Sequence, residues 1–406
     1  MSRIIIEGGR ALRGEIIPQG SKNAALPVIL STVAINGVSE ISNVPDIGDV
    51  RIAIKLLEQM GADVERREDR LIIDTGHLRY VSPDPSLVKE IRASTYLIGG
   101  CLARFGRAEI VEFGGCNFDK RPIDLHIAAA QSLGAEYDGS SLYCDRLKGA
   151  VIELAKPSVG ATINAAIMAL GAEGKTVIKG VAREPHVACL LDFLRSAGAQ
   201  IIQEKGELHI SHGELRGGTC AVIPDAMELA TYLLLGPLTG GEVYARKEYF
   251  DGLSAPLNVI EDSGIRILQR AGECVLSGEA KRPITVVTAP YPGFPTDLQP
   301  QMAPLMAKFY GGEISERVWL GRFGYLDRLA EFGIQYKRQG TRAQILTSLI
   351  HCGEAEAPDL RGGAACIMAA LAADGTSVIS NAEVVFRGYS NMIEKLESLG
   401  ARIRLE

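Results

Sequence analysis

The sequence predicts an α/β protein assembled from six similar units of strand and helix. Three observations support this class: the length of the chain, a helix–glycine–strand joint that recurs along it, and several helices made of small apolar residues. The chain has 406 residues, of which 47% are hydrophobic and 23% charged, the balance of a folded globular protein. Chains longer than about 250–300 residues usually divide into domains, so two or three domains are expected.

The recurring joint is a helix-like stretch that ends at Gly-Ala or Gly-Ile and leads into a β-type run. Glycine directly after a helix readily takes a positive φ and ends the helix, so each joint predicts a helix C-terminus followed by a strand. A chance recurrence of such joints in an ordinary α/β sheet protein is the alternative interpretation. The joint glycines are Gly61, Gly134, Gly198, Gly264, Gly333 and Gly400.

Stretches of small apolar residues predict helices that are buried and pack against one another. Helices with so little polar surface must be covered on most sides. β-branched runs follow them, so each unit reads strand–helix–strand–helix–strand. The boundary between the third and fourth units falls near Pro224-Asp225, without a Pro/Ser-rich linker, which predicts a crossing by two close strands. The stretches are 24–34, 95–103, 162–170 and 364–372.

Charge and cysteine content narrow the functional classes. The formal charge is −6, so neither a nucleic-acid coat nor a membrane-binding surface is expected, although a pocket for a small anion can differ in sign from the whole protein. The eight cysteines show no CxxC spacing, so no metal site is expected. No signal peptide and no membrane span are recognisable, which predicts a cytoplasmic protein with reduced thiols.

Basic residues stand close to several predicted helix starts. Lys22 and Asn23 open the first small-residue helix, where the helix dipole suits a phosphate or carboxylate; an ordinary solvated turn is the alternative. Repeated units with equivalent helix N-termini could direct several arginines at one cleft, and guanidinium binds carboxylate and phosphate well. Each arginine alone is also compatible with a solvated surface position. They are Arg92, Arg322, Arg361 and Arg387.

A glycine-rich loop holds the most reactive combination of residues. Cys116 follows Gly114-Gly115 and precedes Lys120-Arg121, and these cations would lower the pKa of the thiol. Such a thiol serves as nucleophile or proton donor, while an incidental surface cysteine is the alternative. Asp297, after Pro295-Thr296, is either a helix N-cap or a general base.

Two further patterns carry less chemistry. His209 and His212 lack a third ligand nearby and are interpreted as structural. The chain contains no GxGxxG after a strand and no GxxxxGK[ST], so no nucleotide cofactor is expected.

Taken together, these motifs resemble the enolpyruvyl transferase family, and within it the members that act on UDP-N-acetylglucosamine. The resemblance runs essentially from end to end. Its strongest marks are Ser21-Lys22-Asn23-Ala24-Ala25-Leu26-Pro27, Arg92-Ala93-Ser94, the segment 114–126, Ser158-Val159-Gly160-Ala161-Thr162, Ala182-Arg183-Glu184-Pro185, Phe294-Pro295-Thr296-Asp297, Arg322-Phe323, Asp359-Leu360-Arg361 and Arg387-Gly388-Tyr389.

The resemblance implies a two-domain inside-out α/β barrel with six βαβαββ repeats, three in each domain. One domain would comprise residues 1–20 and 225–406, and the other residues 21–224. Helices would lie inside and sheets outside. Substrate would bind between the domains, and the Cys116 loop would close over it as a lid. The oligomeric state stays open.

The resemblance also implies a reaction without a cofactor. The enolpyruvyl group of phosphoenolpyruvate would pass to the 3-hydroxyl of UDP-N-acetylglucosamine by addition and elimination, releasing phosphate. This is the first committed step of peptidoglycan synthesis, hence of cell-wall growth, cell shape and division. Asp297 would take the hydroxyl proton, and Cys116, the fosfomycin target, would protonate the phosphoenolpyruvate methylene.

The residues implied by the resemblance fall into three overlapping sets. The catalytic set is Cys116, Asp297, Lys22 and Arg387. Phosphoenolpyruvate would be bound by Lys22, Asn23, Arg121, Arg322, Arg361 and Arg387. UDP-N-acetylglucosamine would be bound by Arg92, Arg121, Pro122, Ile123, Asp124, Leu125, Lys156, Pro157, Ser158, Val159, Asp297 and Val318, with Asn23 also contacting the amino sugar.

The chain departs from the family pattern at four positions. Ala226 replaces the usual arginine, Gly48 replaces a basic residue of some members, and Phe386 and Ser390 replace acidic residues. These departures keep two alternatives open. One is enolpyruvyl transfer to another uridine nucleotide, and the other is a catalytically silent paralogue that only binds a nucleotide sugar.

Overall fold

The structure of the chain, a computed structural model, describes residues 2–111, 113–114, 122–211, 213–270 and 272–406. Short 3-10 helices lie at Thr32–Ala34, Arg92–Tyr96, Lys247–Tyr249 and Thr296–Leu298. The α-helices are α1 (Lys22–Ser31), α2 (Gly48–Gln59), α3 (Pro85–Glu90), α4 (Leu97–Phe105), α5 (Asp124–Ser132), α6 (Val159–Leu170), α7 (Pro185–Ser196), α8 (Ala226–Thr239), α9 (Ser254–Asp262), α10 (Gln299–Lys308), α11 (Tyr325–Ala330), α12 (Leu360–Ala372), α13 (Glu383–Phe386) and α14 (Met392–Ser398).

The strands are short, and most have three to five residues. In chain order they are β1 (Arg3–Glu7), β2 (Arg13–Glu15), β3 (Val38–Ser42), β4 (Asp63–Arg67), β5 (Arg70–Asp74), β6 (Arg107–Glu109), β7 (Glu136–Tyr137), β8 (Ser141–Tyr143), β9 (Val151–Glu153), β10 (Lys175–Lys179), β11 (Gln200–Glu204), β12 (Glu207–Ser211), β13 (Thr219–Ala221), β14 (Glu242–Arg246), β15 (Arg266–Arg270), β16 (Glu273–Ser277), β17 (Ile284–Val287), β18 (Gly312–Ser315), β19 (Tyr336–Gln339), β20 (Arg342–Ile345), β21 (Glu354–Glu356), β22 (Thr376–Ser380) and β23 (Arg402–Leu405).

The described residues form two compact units, each with its own hydrophobic core. Unit 1 contains residues 2–19 and 225–406, and unit 2 contains the described residues from 20 to 224. Within these residues, no helix has both the length and the apolar composition that a membrane crossing requires.

In the described residues, each unit contains three sheets. Those of unit 1 have the strand orders β21-β22-β1-β23, β15-β16-β14-β2 and β17-β18-β20-β19. Those of unit 2 have the orders β13-β3-β5-β4, β11-β12-β10-β9 and β6-β8-β7. Every four-stranded sheet combines a parallel pair with two antiparallel pairs. The predicted two-domain α/β class with repeated units is confirmed.

The helices of small apolar residues lie in the middle of each unit, as their composition predicts. In unit 1, α8, α10 and α12 contact one another; in unit 2, α4 contacts both α1 and α6. In α12, every residue from Leu360 to Leu371 is buried. The approach of α4 to α6 requires glycine, because a Cβ at Gly99 would lie 2.8 Å from Asn164 Oδ1.

The joint glycines also behave as the sequence predicts. All six have positive φ angles, from 79° at Gly333 to 105° at Gly198. L-residues with a side chain rarely adopt this region, so each glycine permits the turn from a helix into the following strand. Candidate site residues lie at the starts of α1, α5, α6 and α12.

Candidate active site

In unit 1, three of the predicted site residues meet through ion pairs. Asp297 lies in the 3-10 helix that precedes α10, Arg322 in the turn before α11, and Arg361 in the first turn of α12. Arg322 Nη1 donates to Asp297 Oδ1 at 2.7 Å, and Arg361 Nη2 lies 3.5 Å from Asp297 Oδ2. Asp297 therefore directs its carboxylate at guanidinium groups, and the N-cap position of its 3-10 helix belongs to Pro295.

The two guanidinium groups lie deep in the unit. The side chains of Arg322 and Arg361 are 4% and 2% exposed, whereas that of Asp297 is 31% exposed. Burial acts to lower the pKa of Arg322, but the Asp297 and Asp359 carboxylates outweigh it and the pKa is raised. For Arg361, burial again opposes the charge, while Tyr389, Asp297 and Asp225 raise its pKa. Both arginines are thus fixed cations.

Arg361 is held in place from several sides. Asp359 caps α12 by accepting hydrogen bonds from the backbone N–H groups of Arg361 and Gly362, both at 3.0 Å. Arg361 Nη1 donates to the Tyr389 hydroxyl at 2.9 Å, and its guanidinium carbon lies 5.2 Å from the centre of the Tyr389 ring. Among the described residues, the buried Nε of Arg361 makes no hydrogen bond, so this donor is free to bind an acceptor.

A buried glutamate organises the segment around Asp297. Glu316 is fully buried, and its carboxylate accepts from the hydroxyls of Thr288 and Thr296 at 2.7 and 2.8 Å. The same carboxylate accepts from the backbone N–H groups of Val318 and Trp319 at 2.8 and 2.9 Å. The Glu316 carboxylate thereby holds both Val318 and Thr296, the residue before Asp297. Glu316 is not among the predicted site residues, and its only signal in the sequence is a charged residue directly after strand β18.

In unit 2, the predicted anion-binding residues lie at helix starts. Lys22 is the first residue of α1 and Asn23 the second. Lys22 Nζ lies 3.4 Å from Asp49 Oδ2, and the two side chains are 17% and 6% exposed. Asp49 is in the first turn of α2, directly after Gly48. The ammonium group is thus oriented by a buried carboxylate.

Another cluster in unit 2 centres on His126 and Asn164. Asn164 Nδ2 lies 2.8 Å from His126 Nδ1 and donates to the Thr95 carbonyl at 3.0 Å, while its Oδ1 accepts from Gly99 N–H at 2.7 Å. Since the amide nitrogen can only donate, His126 Nδ1 accepts and its proton is on Nε2. A Cβ at Gly160 would lie 3.0 Å from His126 Cε1.

This cluster brings three predicted nucleotide-binding segments of unit 2 close together. Arg92 lies in the 3-10 helix that contains Thr95, Asp124 and Leu125 begin α5 beside His126, and Ser158 caps α6 by accepting from Ala161 N–H at 3.3 Å. Burial, helped by the positive charge of Arg92, lowers the pKa of His126 to about 4 against a small opposite effect of Asp124. The imidazole is therefore neutral.

The remaining predicted residues lie at less buried positions or outside the described residues. Pro122, Asp124, Lys156 and Pro157 are exposed, and Ile123, Leu125, Val159, Val318 and Arg387 are partly buried. Cys116 and Arg121 lie outside the residues that the structure describes. Tyr389, His126 and Asn164 are not among the predicted site residues. Tyr389 and His126 stand inside the sequence motifs given above, and this was the signal that could have pointed to them.

Three of the four positions that were expected to depart from the family pattern have the following places in the fold. Ala226 is the first residue of α8, next to the cap Asp225. Phe386 ends α13 and packs partly buried against the core of unit 1. Ser390 is 9% exposed and hydrogen-bonded to Gln19.

Known proteins are similar to this chain over its full length. The sequence profile described as EPSP synthase (3-phosphoshikimate 1-carboxyvinyltransferase) matches residues 6–396. The UDP-N-acetylglucosamine 1-carboxyvinyltransferase of Halothermothrix orenii is 38% identical over 412 residues, covering 100% of this chain and 99% of the relative. The protein of that name from Geobacter metallireducens is 37% identical over 413 residues, with coverage of 100% and 99%.

Solved structures show the same fold. The enolpyruvyl transferase NikO from Streptomyces tendae is similar with a TM-score of 0.88 and 24% identity, covering 100% of this chain and 98% of that one. An EPSP synthase from Acinetobacter baumannii has a TM-score of 0.76 and 18% identity, with both chains fully covered.

Proposed function

Because this chain belongs to the EPSP synthase family of enolpyruvyl transferases, we propose that it transfers the enolpyruvyl group of phosphoenolpyruvate to the 3-hydroxyl of UDP-N-acetylglucosamine. Phosphate is the second product. The observation that carries the proposal is the cluster of Asp297 with the buried guanidinium groups of Arg322 and Arg361, in a chain whose full-length relatives bear the name of this activity. This cluster joins a carboxylate that can act as base to cations that bind a carboxylate.

The arginines of unit 1 hold the carboxylate of phosphoenolpyruvate. Guanidinium groups suit this task because their N–H donors match a carboxylate in pairs, and Arg361 has a buried Nε–H that makes no hydrogen bond within the described residues. Lys22, Arg121 and Arg387 hold the phosphate group. Asn23 contacts both substrates. Fixed cations of this kind lower the barrier because they need no reorganisation during the reaction.

The chemistry proceeds by addition and then elimination. In the first step, the 3-hydroxyl oxygen bonds to C2 of phosphoenolpyruvate, Asp297 takes the hydroxyl proton, and the Cys116 thiol gives a proton to C3. In the second step, the Cys116 thiolate takes a proton from C3, the double bond between C2 and C3 forms again, and the bond from C2 to the phosphate oxygen breaks, which releases phosphate. Asp297 has 31% of its side chain exposed, so its carboxylate is accessible to a hydroxyl group.

The cluster of helix starts in unit 2 holds the nucleotide, and Val318 and Asp297 are further proposed ligands of UDP-N-acetylglucosamine. The start of α6, with Ser158 and Val159, offers backbone N–H groups and the positive end of a helix to the diphosphate. Arg92 and Lys156 add positive charge. The start of α5, from Pro122 to Leu125, contacts the uridine together with Arg121. The neutral His126, through its hydrogen bond with Asn164, holds the start of α5 close to α6 and to the 3-10 helix of Arg92.

The proposal extends to biology and to inhibition. A transferase with these substrates takes part in peptidoglycan synthesis and cell-wall growth, and so in cell shape and division, in the cytoplasm. The Cys116 thiol is the site at which fosfomycin forms its adduct. As domains of this enzyme we propose residues 1–20 together with 225–406, and residues 21–224.

Phosphate release tests the proposal directly. The chain should release phosphate from phosphoenolpyruvate when UDP-N-acetylglucosamine is present and not in its absence. Release with UMP but not with the amino-sugar nucleotide would replace the acceptor, as expected for a transferase acting on another uridine nucleotide. Nucleotide binding without release from any acceptor would indicate a silent paralogue and contradict the proposal.

A further inference from the structure

The amide of Gln19 clamps the backbone on both sides of one residue in unit 1. Gln19 is 8% exposed. Its Nε2 donates to the Gly388 carbonyl at 2.8 Å, and its Oε1 accepts from the Ser390 N–H at 2.7 Å. The residue enclosed by these two bonds is Tyr389. The segment from Arg387 to Ser390, which follows α13, is therefore fixed by a side chain almost 370 positions away in sequence.

The orientation of the amide follows from the groups that it meets. If the amide were reversed, its NH2 group would face the Ser390 N–H and its oxygen would face the Gly388 carbonyl, and neither pair could form a hydrogen bond. The Ser390 hydroxyl adds a further bond to Gln19 Oε1 at 2.6 Å. An acidic side chain at position 390 would instead bring a carboxylate toward this oxygen. Gln19 and Ser390 thus form a matched pair.

The backbone of Gln19 is itself immobilised. Its N–H donates to Glu228 Oε2 at 2.6 Å, and its carbonyl accepts from the Asp225 N–H at 2.8 Å. Glu228 is fully buried and receives Lys395 Nζ at 2.7 Å. Because these contacts fix the main chain, the side-chain amide has little freedom left to lose when it forms its own bonds.

Tyr389 connects the clamped segment to Arg361. The Tyr389 side chain is 1% exposed, its hydroxyl accepts from Arg361 Nη1 at 2.9 Å, and its ring lies against the guanidinium. We propose that Gln19 is a positioning residue for phosphoenolpyruvate binding. It fixes the position of the Arg361 guanidinium through Tyr389, and it fixes the backbone segment that begins at Arg387. This inference rests on the proposed function, because it takes Arg361 and Arg387 as ligands of phosphoenolpyruvate.

The first test is the full-length Gln19→Leu variant, which keeps the bulk of the side chain and removes the three hydrogen bonds of the amide. The KM for phosphoenolpyruvate should rise by about tenfold or more, the size expected when a binding interaction is weakened. The KM for UDP-N-acetylglucosamine should rise much less, since among its proposed ligands in the described residues only Asp297 pairs with Arg361. Hydrogen exchange at the Ser390 amide should become faster.

Thr239→Val is the matched control for a purely structural effect. The Thr239 hydroxyl accepts from the Leu12 N–H at 3.0 Å and donates to the Leu235 carbonyl at 2.7 Å, so it also ties the N-terminal segment to α8 but does not contact the 387–390 segment in the described structure. This variant should lower the midpoint of thermal unfolding and leave both KM values unchanged.

Gln19→Glu provides a second variant that is decisive even if Gln19→Leu fails to fold. A carboxylate still accepts from Ser390, but it can donate to the Gly388 carbonyl only when protonated. The ratio of the phosphoenolpyruvate KM in the variant to that in the parent chain should therefore fall as the pH is lowered from about 8 to about 6, since burial raises the pKa of a carboxyl group. The charged neighbours Glu228, Asp225, Lys395, Arg361 and Arg387 are common to both proteins, so their titration largely cancels in the ratio.

The outcomes separate this inference from the proposed function. A parent chain that releases no phosphate would overturn the proposed function and this inference with it. An active parent would overturn the inference alone if Gln19→Leu left the phosphoenolpyruvate KM unchanged or raised both KM values together. A KM ratio of Gln19→Glu that does not depend on pH would also count against it.

Discussion

The side chain of Asp297 forms ion pairs with two arginines in the structure, and it accepts a proton in the proposed reaction. Its oxygens contact Arg322 and Arg361 at 2.7 and 3.5 Å, yet almost a third of the side chain is exposed. In the proposed reaction, the carboxylate of phosphoenolpyruvate would compete with Asp297 for the N–H donors of these two arginines.

Asp297→Asn separates the charge of this residue from its size. Phosphate release should fall by about 10²–10⁴-fold, the usual contribution of a general base, while the dissociation constant for UDP-N-acetylglucosamine changes little. Both are measured on the purified chain, by phosphate assay and by calorimetry. Glu313→Gln, which removes an exposed partner of Arg342, is the control and should behave like the parent. Normal turnover in Asp297→Asn would exclude it as the base.

The burial of His126 predicts that the free energy of unfolding depends on pH. Burial lowers its pKa from 6.5 to about 4 in the folded chain, so the unfolded chain binds the extra proton more readily in this range. The contribution of the neutral imidazole is complete above pH 6.5 and is lost progressively as the pH falls toward 4, by up to about 3 kcal/mol.

Urea unfolding at pH 7 and pH 5 measures this effect. His126→Asn should lose less stability across this interval than the parent chain, because it has no imidazole to protonate. His77→Asn, at an exposed position, should retain the pH dependence of the parent. An identical pH dependence in His126→Asn and in the parent would contradict the assignment of His126 as a buried neutral group.

At the scale of elements, the site depends on how closely the central helices approach. α4 reaches α6 at Gly99, and Asn164 on α6 extends from there to His126 on α5. Because the predicted residues of unit 2 stand at the starts of α1, α5 and α6, a small shift of one helix relative to another displaces several of them at once. The packing of the helices therefore determines the geometry of the predicted site in unit 2.

Gly99→Ala tests the close approach of α4 and α6. The new Cβ would lie 2.8 Å from Asn164 Oδ1 and 3.0 Å from the Asn164 carbonyl oxygen, so the free energy of unfolding should fall by about 1–2 kcal/mol in spite of the better helix propensity of alanine. Gly324→Ala is the matched control, since no atom lies within 4 Å of its new Cβ and its backbone is right-handed helical. Equal stability of the two variants would contradict the packing argument.

At the scale of the whole chain, the N-terminal strand belongs to a sheet formed by the C-terminal residues. β1 pairs antiparallel with β22 on one side and β23 on the other, so Ile6 lies opposite Ser377 and Ile403. Unit 1 is thus complete only after the last strand of the chain has formed, whereas unit 2 comes from the intervening residues. This arrangement makes the first strand a central part of unit 1.

Ile6→Ala should therefore destabilise unit 1 in spite of its position near the end of the chain. Ile6 is fully buried, and removal of a buried isoleucine side chain usually costs about 2–5 kcal/mol. Ile202→Ala is the control, because Ile202 is 58% exposed and its loss should change stability by well under 1 kcal/mol. Denaturant midpoints measure both variants, and a stable Ile6→Ala would show that the first strand is dispensable.

The fold and the family could be predicted from the sequence because their signals are local. A glycine after a helix and a run of small apolar residues act through neighbours in the chain, so the joint at Gly61 and the buried helix α12 could be read without any tertiary information. The motifs around Lys22 and Arg361 likewise led to the family that the similar proteins confirm. The roles of single site residues, Cys116 and Arg387 among them, stay predictions.

Contacts between distant residues could not be read in the same way. The bonds from Arg361 to Asp297, from Asn164 to His126 and from Gln19 to Ser390 join residues that are 64, 38 and 371 positions apart. No periodicity or spacing encodes such pairs, because their distance is set by how whole repeats pack on one another. The sequence by itself determined the repeats, the fold class and the family; only the tertiary structure decided which polar groups meet, since long-range packing fixes the directions of buried side chains.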